Sequence, residues 1–191
     1  MQFAYKKSGG EWSGQERSDA EQSGENRSAP GVAIRSAGPA DTPLIFDLIR
    51  ELAAYEKLSD AVDATPAMIA AALFGEKPRL FCDIAEWNGE AAGLAVWFLN
   101  FSTFRGRHGI YLEDLFVRPA YRGKGLGKAL MMRLAERCVE EGYARFEWSV
   151  LDWNAPSIAF YESIGAQVLP DWKICRMSGE ALASFGTGAR A

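Results

Sequence analysis

The chain has one histidine and three cysteines among its 191 residues, and these shortages exclude several chemistries at once. His108 sits in a glycine-flanked turn with no second histidine to join it, which argues against a metal site and against a serine-histidine triad. Cys82, Cys138 and Cys175 are widely spaced, odd in number and form no Cys-x-x-Cys pair. They suggest neither a zinc site nor a disulfide framework and read as buried small apolar residues. Positive charge is also short, with 21 Lys and Arg against 25 Asp and Glu and a net charge of −4. A nucleic-acid binder would carry a basic domain or stripe, so no nucleic-acid partner is expected. The mild acidity suits a cationic substrate, though many soluble proteins share it. No apolar signal core lies in the first thirty residues, and no later run approaches a membrane span, so the expected location is cytoplasmic with no membrane partner. Residues 1–30 are rich in Ser, Gly, Glu and Gln, cannot bury enough surface to order themselves, and read as a disordered tail.

The rest has ordinary globular composition, 48% hydrophobic and 24% charged, enough for one sizeable core over residues 31–180. Val32 to Ser36 reads as a strand. Leu44, Ile45, Leu48, Ile49, Leu52 and Tyr55 recur at helical spacing and give a first helix ending near Lys57, and Thr65-Pro66 starts a second. Two strand-like segments, Leu80 to Trp87 and Ala91 to Phe101, flank Asn88-Gly89, a strong hairpin signal. After a polar turn from Arg105 to Gly109 comes the strand Tyr111 to Val117. Leu126, Leu130, Leu134 and Cys138 then carry a helix, and Arg145 to Leu151 a strand. Asn154 opens a helix that Gly165 ends. Gln167 to Leu169 and Trp172 to Met177 read as final strand material, and residues 181–191 are expected to fray. The predicted order is β-α-α-β-β-β-α-β-α-β, an α/β (α+β) fold whose mixed, mostly antiparallel sheet has helices on both faces.

Between the central strand and the helix that follows lies Arg122-Gly-Lys-Gly125-Leu-Gly127-Lys128. Glycines let backbone approach an anion, and the first N–H groups of a helix have no partner within it, so the arrangement suits a pyrophosphate. It is not a Walker A loop, because Ala129 follows Gly127-Lys128 and Arg122 stands where the first glycine is needed. It is not the dinucleotide G-x-G-x-x-G either, because Lys128 replaces the third glycine. What remains is Arg-x-x-Gly-x-Gly, and this resembles the coenzyme A loop of the GNAT superfamily of N-acetyltransferases. Read alone, the same residues are a tight strand-to-helix connection.

A second segment, Asp152-Trp-Asn154-Ala-Pro-Ser157-Ile-Ala-Phe160-Tyr161-Glu-Ser-Ile-Gly165, resembles the GNAT helix that carries an asparagine, an aromatic pair and a terminal glycine. Both motifs stand in the family's order, and the likeness spans residues 32–178. Within the superfamily the chain resembles the spermidine/spermine and thialysine N-acetyltransferases through Ile49-Arg-Glu-Leu-Ala-Ala-Tyr55-Glu56, Tyr111-Leu-Glu-Asp-Leu-Phe-Val117 and Trp153 to Tyr161. The resemblance implies transfer of acetyl from acetyl-CoA to a primary amine by direct attack in a ternary complex, with no metal and no covalent enzyme intermediate. It also implies a homodimer. The cofactor set is then Leu115, Phe116 and Val117, whose backbone would pair with pantetheine, together with Arg122, Gly123, Lys124, Gly125, Leu126, Gly127 and Lys128 at the pyrophosphate, Asn154 and Ser157 at the pantetheine arm or adenine-side groups, and Tyr161 at the thiol.

Elementary chemistry gives these assignments sense. A primary amine with a pKa of about 10.4 arrives as a cation and must lose a proton before it attacks a thioester. A carboxylate both holds and deprotonates it. Glu113 and Asp114 are adjacent in a strand and should face opposite ways, so one of them lines the cleft. The resemblance assigns Glu113 to amine binding and proton acceptance and leaves Asp114 as support. Tyr161, a phenol with a pKa near 10, is the expected general acid toward a thiolate of about 8.5. As a lone helix aromatic it would read as core. Tyr55 and Glu56 would complete the amine pocket, the ring lying along the alkyl chain and under the cation; otherwise they are a solvated helix end.

The basic turn around Arg105, Arg107 and His108, with Lys173 later in the chain, favours a short diamine or lysine analogue over a long polyamine. Two other functions stay open. One is acetylation of a protein N-terminus or lysine, which needs an open peptide groove. The other is a non-catalytic acyl-CoA-binding module, against which Tyr161 and Glu113 argue.

Overall fold

The computed structural model describes residues 31–188, and the tail expected over residues 1–30 lies outside them. Strand β1 (Val32–Ser36) is followed by helices α1 (Thr42–Tyr55) and α2 (Pro66–Phe74), and then by strands β2 (Phe81–Trp87), β3 (Glu90–Ser102) and β4 (Arg107–Val117). Helix α3 (Leu126–Glu140), strand β5 (Phe146–Trp148) and helices α4 (Ala155–Ser163) and α5 (Gly179–Thr187) complete the chain. The sheet runs β1-β2-β3-β4-β5, antiparallel except for the parallel β4–β5 pair. Among the described residues no helix is long and apolar enough to cross a membrane.

Local chemistry explains the boundaries. Thr65 caps α2 by accepting the Met68 N–H at 3.3 Å, with Pro66 at the first helical position. Asn88 and Gly89 both have positive φ, 50° and 83°, as a two-residue hairpin turn requires. Asn154 caps α4 through its Oδ1, which accepts the Ser157 N–H at 3.4 Å, and Gly165 at φ 91° takes the chain out of it.

Two cores form, one on each face of the sheet. Ile45, Leu48 and Leu52 of α1 and Leu73 of α2 pack on Ile84, Leu94, Val96 and Phe116. Leu126, Leu130, Leu134 and Cys138 of α3 pack on the other face against Ala95, Trp97, Ile110 and Leu112. Burial of each large aliphatic side chain stabilises the fold by about 1.5–3 kcal/mol. Within this interior Asp83 is 1% exposed, yet its carboxylate accepts the Trp97 Nε1–H at 2.8 Å and the Ser36 hydroxyl at 3.3 Å.

Several expectations need correction. The final strand does not form: residues 167–177 adopt no regular structure and expose Trp172 and Ile174, so Cys175 is exposed too. A strand needs an edge to pair with, and alternation of apolar residues does not provide one. Residues 179–187 are helical where fraying was expected. Strand β4 begins at Arg107, inside the expected polar turn, and His108 is a strand residue beside the Asn100 carbonyl at 3.2 Å.

Two irregularities shape the end of the sheet where the glycine loop begins. Val96 pairs with Asp114 while Trp97 pairs with Leu112, which leaves Glu113 as an extra residue in a β-bulge. The bulge reverses the alternation of β4, so that Leu112 belongs to the α3 core and Phe116 to the α1 core. In addition, β5 pairs with β4 only at Ile110 to Leu112. From Glu113 onward the two strands diverge.

Candidate active site

Helix α3 starts directly from the glycine loop. Gly123 and Gly125 have φ of 76° and 86°, the left-handed conformation that costs other residues about 1–2 kcal/mol. At Gly127, among the described residues, the one atom a Cβ would meet within 4 Å is Val117 Cγ2, at 3.9 Å, so the flank of the first helical turn is open there. That turn holds no acidic residue. Free helical N–H groups, open space and the exposed Lys128 fit the pyrophosphate of coenzyme A.

The loop is held on both sides. Arg118 Nε and Nη2 donate to Glu51 Oε1 of α1 at 3.0 and 2.8 Å, and Nη1 donates to the Ala91 carbonyl at 3.0 Å. The Tyr121 hydroxyl donates to Glu90 at 2.6 Å. Arg118 escapes a reading of the sequence because its partner lies 67 residues away and no local pattern signals the pair. The two other cations of the loop rest on aromatic rings. Lys124 Nζ lies 4.6 Å from the Trp87 ring centre. The Arg122 guanidinium carbon lies 4.5 Å from the Tyr55 ring centre, and its Nε donates to the Val117 carbonyl at 3.0 Å.

The expected amine pocket gathers at the end of α1. Tyr55 is the last helical residue and Glu56 its cap, and Trp153 lies 6.3 Å from the Tyr55 ring. Burial raises the Glu56 carboxyl above its ordinary value. Asp114, carried by the bulge onto the α1 face, is half-buried, and among the described residues no side-chain hydrogen bond reaches it. Burial first, then the charges of Glu113 and Glu56, push it from an ordinary 3.8 to about 6. Tyr161 is fixed by Trp148, whose ring meets its own edge-on at 5.0 Å, and by Phe160 at 5.4 Å. Burial, followed by Glu56 and Tyr55, raises its phenol to about 12.

Tyr55, Glu56, Asp114 and Tyr161 therefore act on one another although they come from three elements of the chain. Glu113, expected to be the pocket acid, is exposed because the bulge lifts it out of the ladder. Adjacent strand residues face opposite ways only in a regular ladder, and this one is interrupted. Leu115 and Val117 turn their side chains to the α3 core and Phe116 to the α1 core, while β5 leaves their outer edge uncovered. Asn154 is 7% exposed, with its Oδ1 engaged in capping α4, so its acceptor atom serves the helix. Trp148 and Trp153 are additions that the sequence pattern did not single out as site residues.

The basic turn stands at the far end of β4 from the acid cluster. Arg107 begins β4 and Asp114 lies seven residues along it, roughly 20 Å away at strand spacing.

Comparison with known proteins places the chain in a family. Residues 45–166 match the acetyltransferase (GNAT) family. A thialysine N-epsilon-acetyltransferase of Bos taurus is 40% identical over 162 residues, covering 79% of this chain and 95% of that protein. An L-ornithine N5-acetyltransferase of Arabidopsis thaliana is 32% identical, covering 78% of this chain and 85% of its own length. Among solved structures, an integron cassette protein from the mobile metagenome of V. cholerae superposes with a TM-score of 0.69 at 25% identity, over 83% of this chain and 99% of that one.

Proposed function

The chain belongs to the GNAT acetyltransferase family and is an acetyl-CoA-dependent N-acetyltransferase; from that premise we propose that its acceptor is the terminal primary amine of a small diamine, polyamine or lysine analogue such as thialysine. The observation that carries this reading is the acid cluster at the end of α1, where Asp114 and Glu56 stand near Tyr55 and, among the described residues, no salt bridge joins either carboxylate to a cation. An ammonium group supplies that charge. Its alkyl chain would lie along the touching Tyr55 and Trp153 rings. The names of the relatives, thialysine N-epsilon and L-ornithine N5, both specify the amine at the end of a short chain, which supports the same acceptor class.

In the proposed reaction the loop from Arg122 to Lys128 holds the pyrophosphate of acetyl-CoA, and the backbone from Leu115 to Val117 aligns the pantetheine arm. Asp114, with Glu113 and Glu56 nearby, holds the ammonium and takes its proton, directly or through water. The neutral nitrogen then attacks the thioester carbonyl, the carbon–sulfur bond breaks, the thiolate takes a proton from Tyr161, and the second proton shed by the nitrogen as it becomes an amide passes, directly or through water, to the Tyr161 phenolate and restores it. A phenol at about 12 is a poor acid toward a thiol of ordinary pKa. The substrate's own positive charge offsets the negative field of Glu56 and lowers that value in part when the complex assembles, burial being the larger cause. The bound ammonium thus assists Tyr161 as an acid by offsetting part of that rise.

The proposed assembly is a homodimer. Its support is that Leu169, Trp172, Ile174 and Phe185, large apolar side chains toward the end of the chain, are all exposed, as surface awaiting a partner would be. Acetyl-CoA turnover against putrescine, spermidine, spermine, thialysine, lysine and a peptide amine, with Tyr161→Phe alongside, tests the function. Selective turnover of a small amine, lost in the variant, is the expected result. Coenzyme A binding without turnover of any small amine would overturn it in favour of a protein substrate or a binding role.

A further inference from the structure

We infer that Arg122 couples the two substrate sites, because one guanidinium serves both the ring that would bind the amine and the anion that would bind the loop. This inference rests on the amine-acetyltransferase reading and deepens it. The guanidinium carbon lies 4.5 Å from the centre of the Tyr55 ring and 6.0 Å from that of Phe116. Its Nε donates to the Val117 carbonyl at 3.0 Å. Arg122 thus covers the aromatic face on which an alkylammonium would lie, and it also engages the last carbonyl of the strand along which pantetheine would run. Its backbone immediately precedes Gly123, the first left-handed residue of the phosphate loop.

A cation stacked on an exposed ring is held weakly, whereas a guanidinium forks onto a phosphate through parallel charge-assisted hydrogen bonds that are considerably stronger. A pyrophosphate on the loop therefore draws Arg122 off Tyr55. The move exposes the ring beside Glu56 and removes a cation that opposes the approach of the substrate's cation. Coenzyme A and amine then bind with positive coupling, and coupling of this kind is reciprocal. Arg122 acts through Tyr55 and the loop and touches no reacting atom, so it is a positioning residue.

The test is calorimetric titration of thialysine or putrescine into the protein with and without saturating coenzyme A, which lacks the acetyl group and permits no turnover. In the wild type, coenzyme A is expected to tighten amine binding about threefold to fivefold, the scale of one cation–ring contact. In Arg122→Ala the amine binds about that much more tightly without coenzyme A, and coenzyme A no longer improves it. Arg122→Lys, which keeps the charge and loses the fork, retains part of the coupling. A second variant reads the reverse direction. Tyr55→Leu releases Arg122 and tightens coenzyme A binding in the absence of amine by about the same factor. If Arg122 only holds phosphate, Arg122→Ala weakens coenzyme A binding and leaves amine affinity without coenzyme A unchanged, and Tyr55→Leu leaves coenzyme A affinity unchanged; either result overturns the coupling. Failure of the wild type to bind or acetylate any small amine would instead overturn the underlying reading.

Discussion

Asp83 and Asp114 are both aspartates on interior strands of one sheet, and their surroundings differ in every respect that separates a structural acid from a working one. Asp83 is 1% exposed, faces no other carboxylate within bonding reach, and receives hydrogen bonds from Trp97 and Ser36 that tie β1, β2 and β3 together. Asp114 is less deeply buried, receives no side-chain hydrogen bond, and feels two further acids. Depth alone would have selected the wrong residue. The accounting that discriminates is whether each charge has donors inside the protein, because a buried carboxylate without them is retained at a cost in stability that a bound cation offsets.

Substitution breaks this comparison most sharply in the reaction itself. Removing the Tyr161 hydroxyl with Tyr161→Phe lowers kcat by about 10²–10⁴-fold, the usual contribution of a positioned proton donor, and leaves coenzyme A affinity unchanged. Steady-state turnover together with direct binding checks both halves. Asp83→Ala is the opposite case. It strands the Trp97 N–H and the Ser36 hydroxyl and costs about 2–3 kcal/mol of unfolding free energy in urea, while turnover of the folded enzyme is unchanged. A loss of activity with intact stability would end the distinction between the two acids.

The smaller effects sharpen it. The acid limb of kcat/KM is expected near pH 6, where Asp114 ionises and becomes able to hold the ammonium. Glu56→Gln removes one of the charges that raise Asp114 and moves that limb to lower pH, by less than the full displacement because burial is the larger cause. A limb that stays in place in Glu56→Gln would separate Glu56 from the pocket. On the alkaline side Tyr161 stays protonated through pH 9 or so, so ionisation of the phenol does not limit turnover there.

Most of the architecture was legible in the residue pattern, for identifiable reasons. The four-residue spacing of Leu126, Leu130, Leu134 and Cys138 marks a helix whatever surrounds it, and all four are buried on one face. Asn88-Gly89 marks its hairpin through backbone conformation alone. The bulge was not legible, since nothing local distinguishes Glu113 from a regular strand residue, and it is the bulge that exchanges the placements of Glu113 and Asp114. Residues 172–177 alternate like a strand, but pairing is a property of two segments and cannot be read from one. The rest of Arg122 on Tyr55 was hidden for the same reason, because α1 and the phosphate loop meet only once the sheet has formed.

The central claim is that Asp114 is an acid kept without partners for the sake of its substrate, and the unfolding free energy of Asp114→Asn against wild type tests it most directly. A carboxyl held at about 6 in the folded chain, against 3.8 ordinarily, stabilises the protonated folded form, so wild-type stability is fully present below pH 3.8 and is lost as pH rises toward 6. At pH 7 the variant, free of that charge, should be the more stable by up to about 3 kcal/mol, the difference vanishing below pH 4, while acetyl transfer falls steeply. An Asp114→Asn protein that is less stable than wild type at pH 7 would contradict the account, because Asp114 would then be a satisfied structural acid like Asp83.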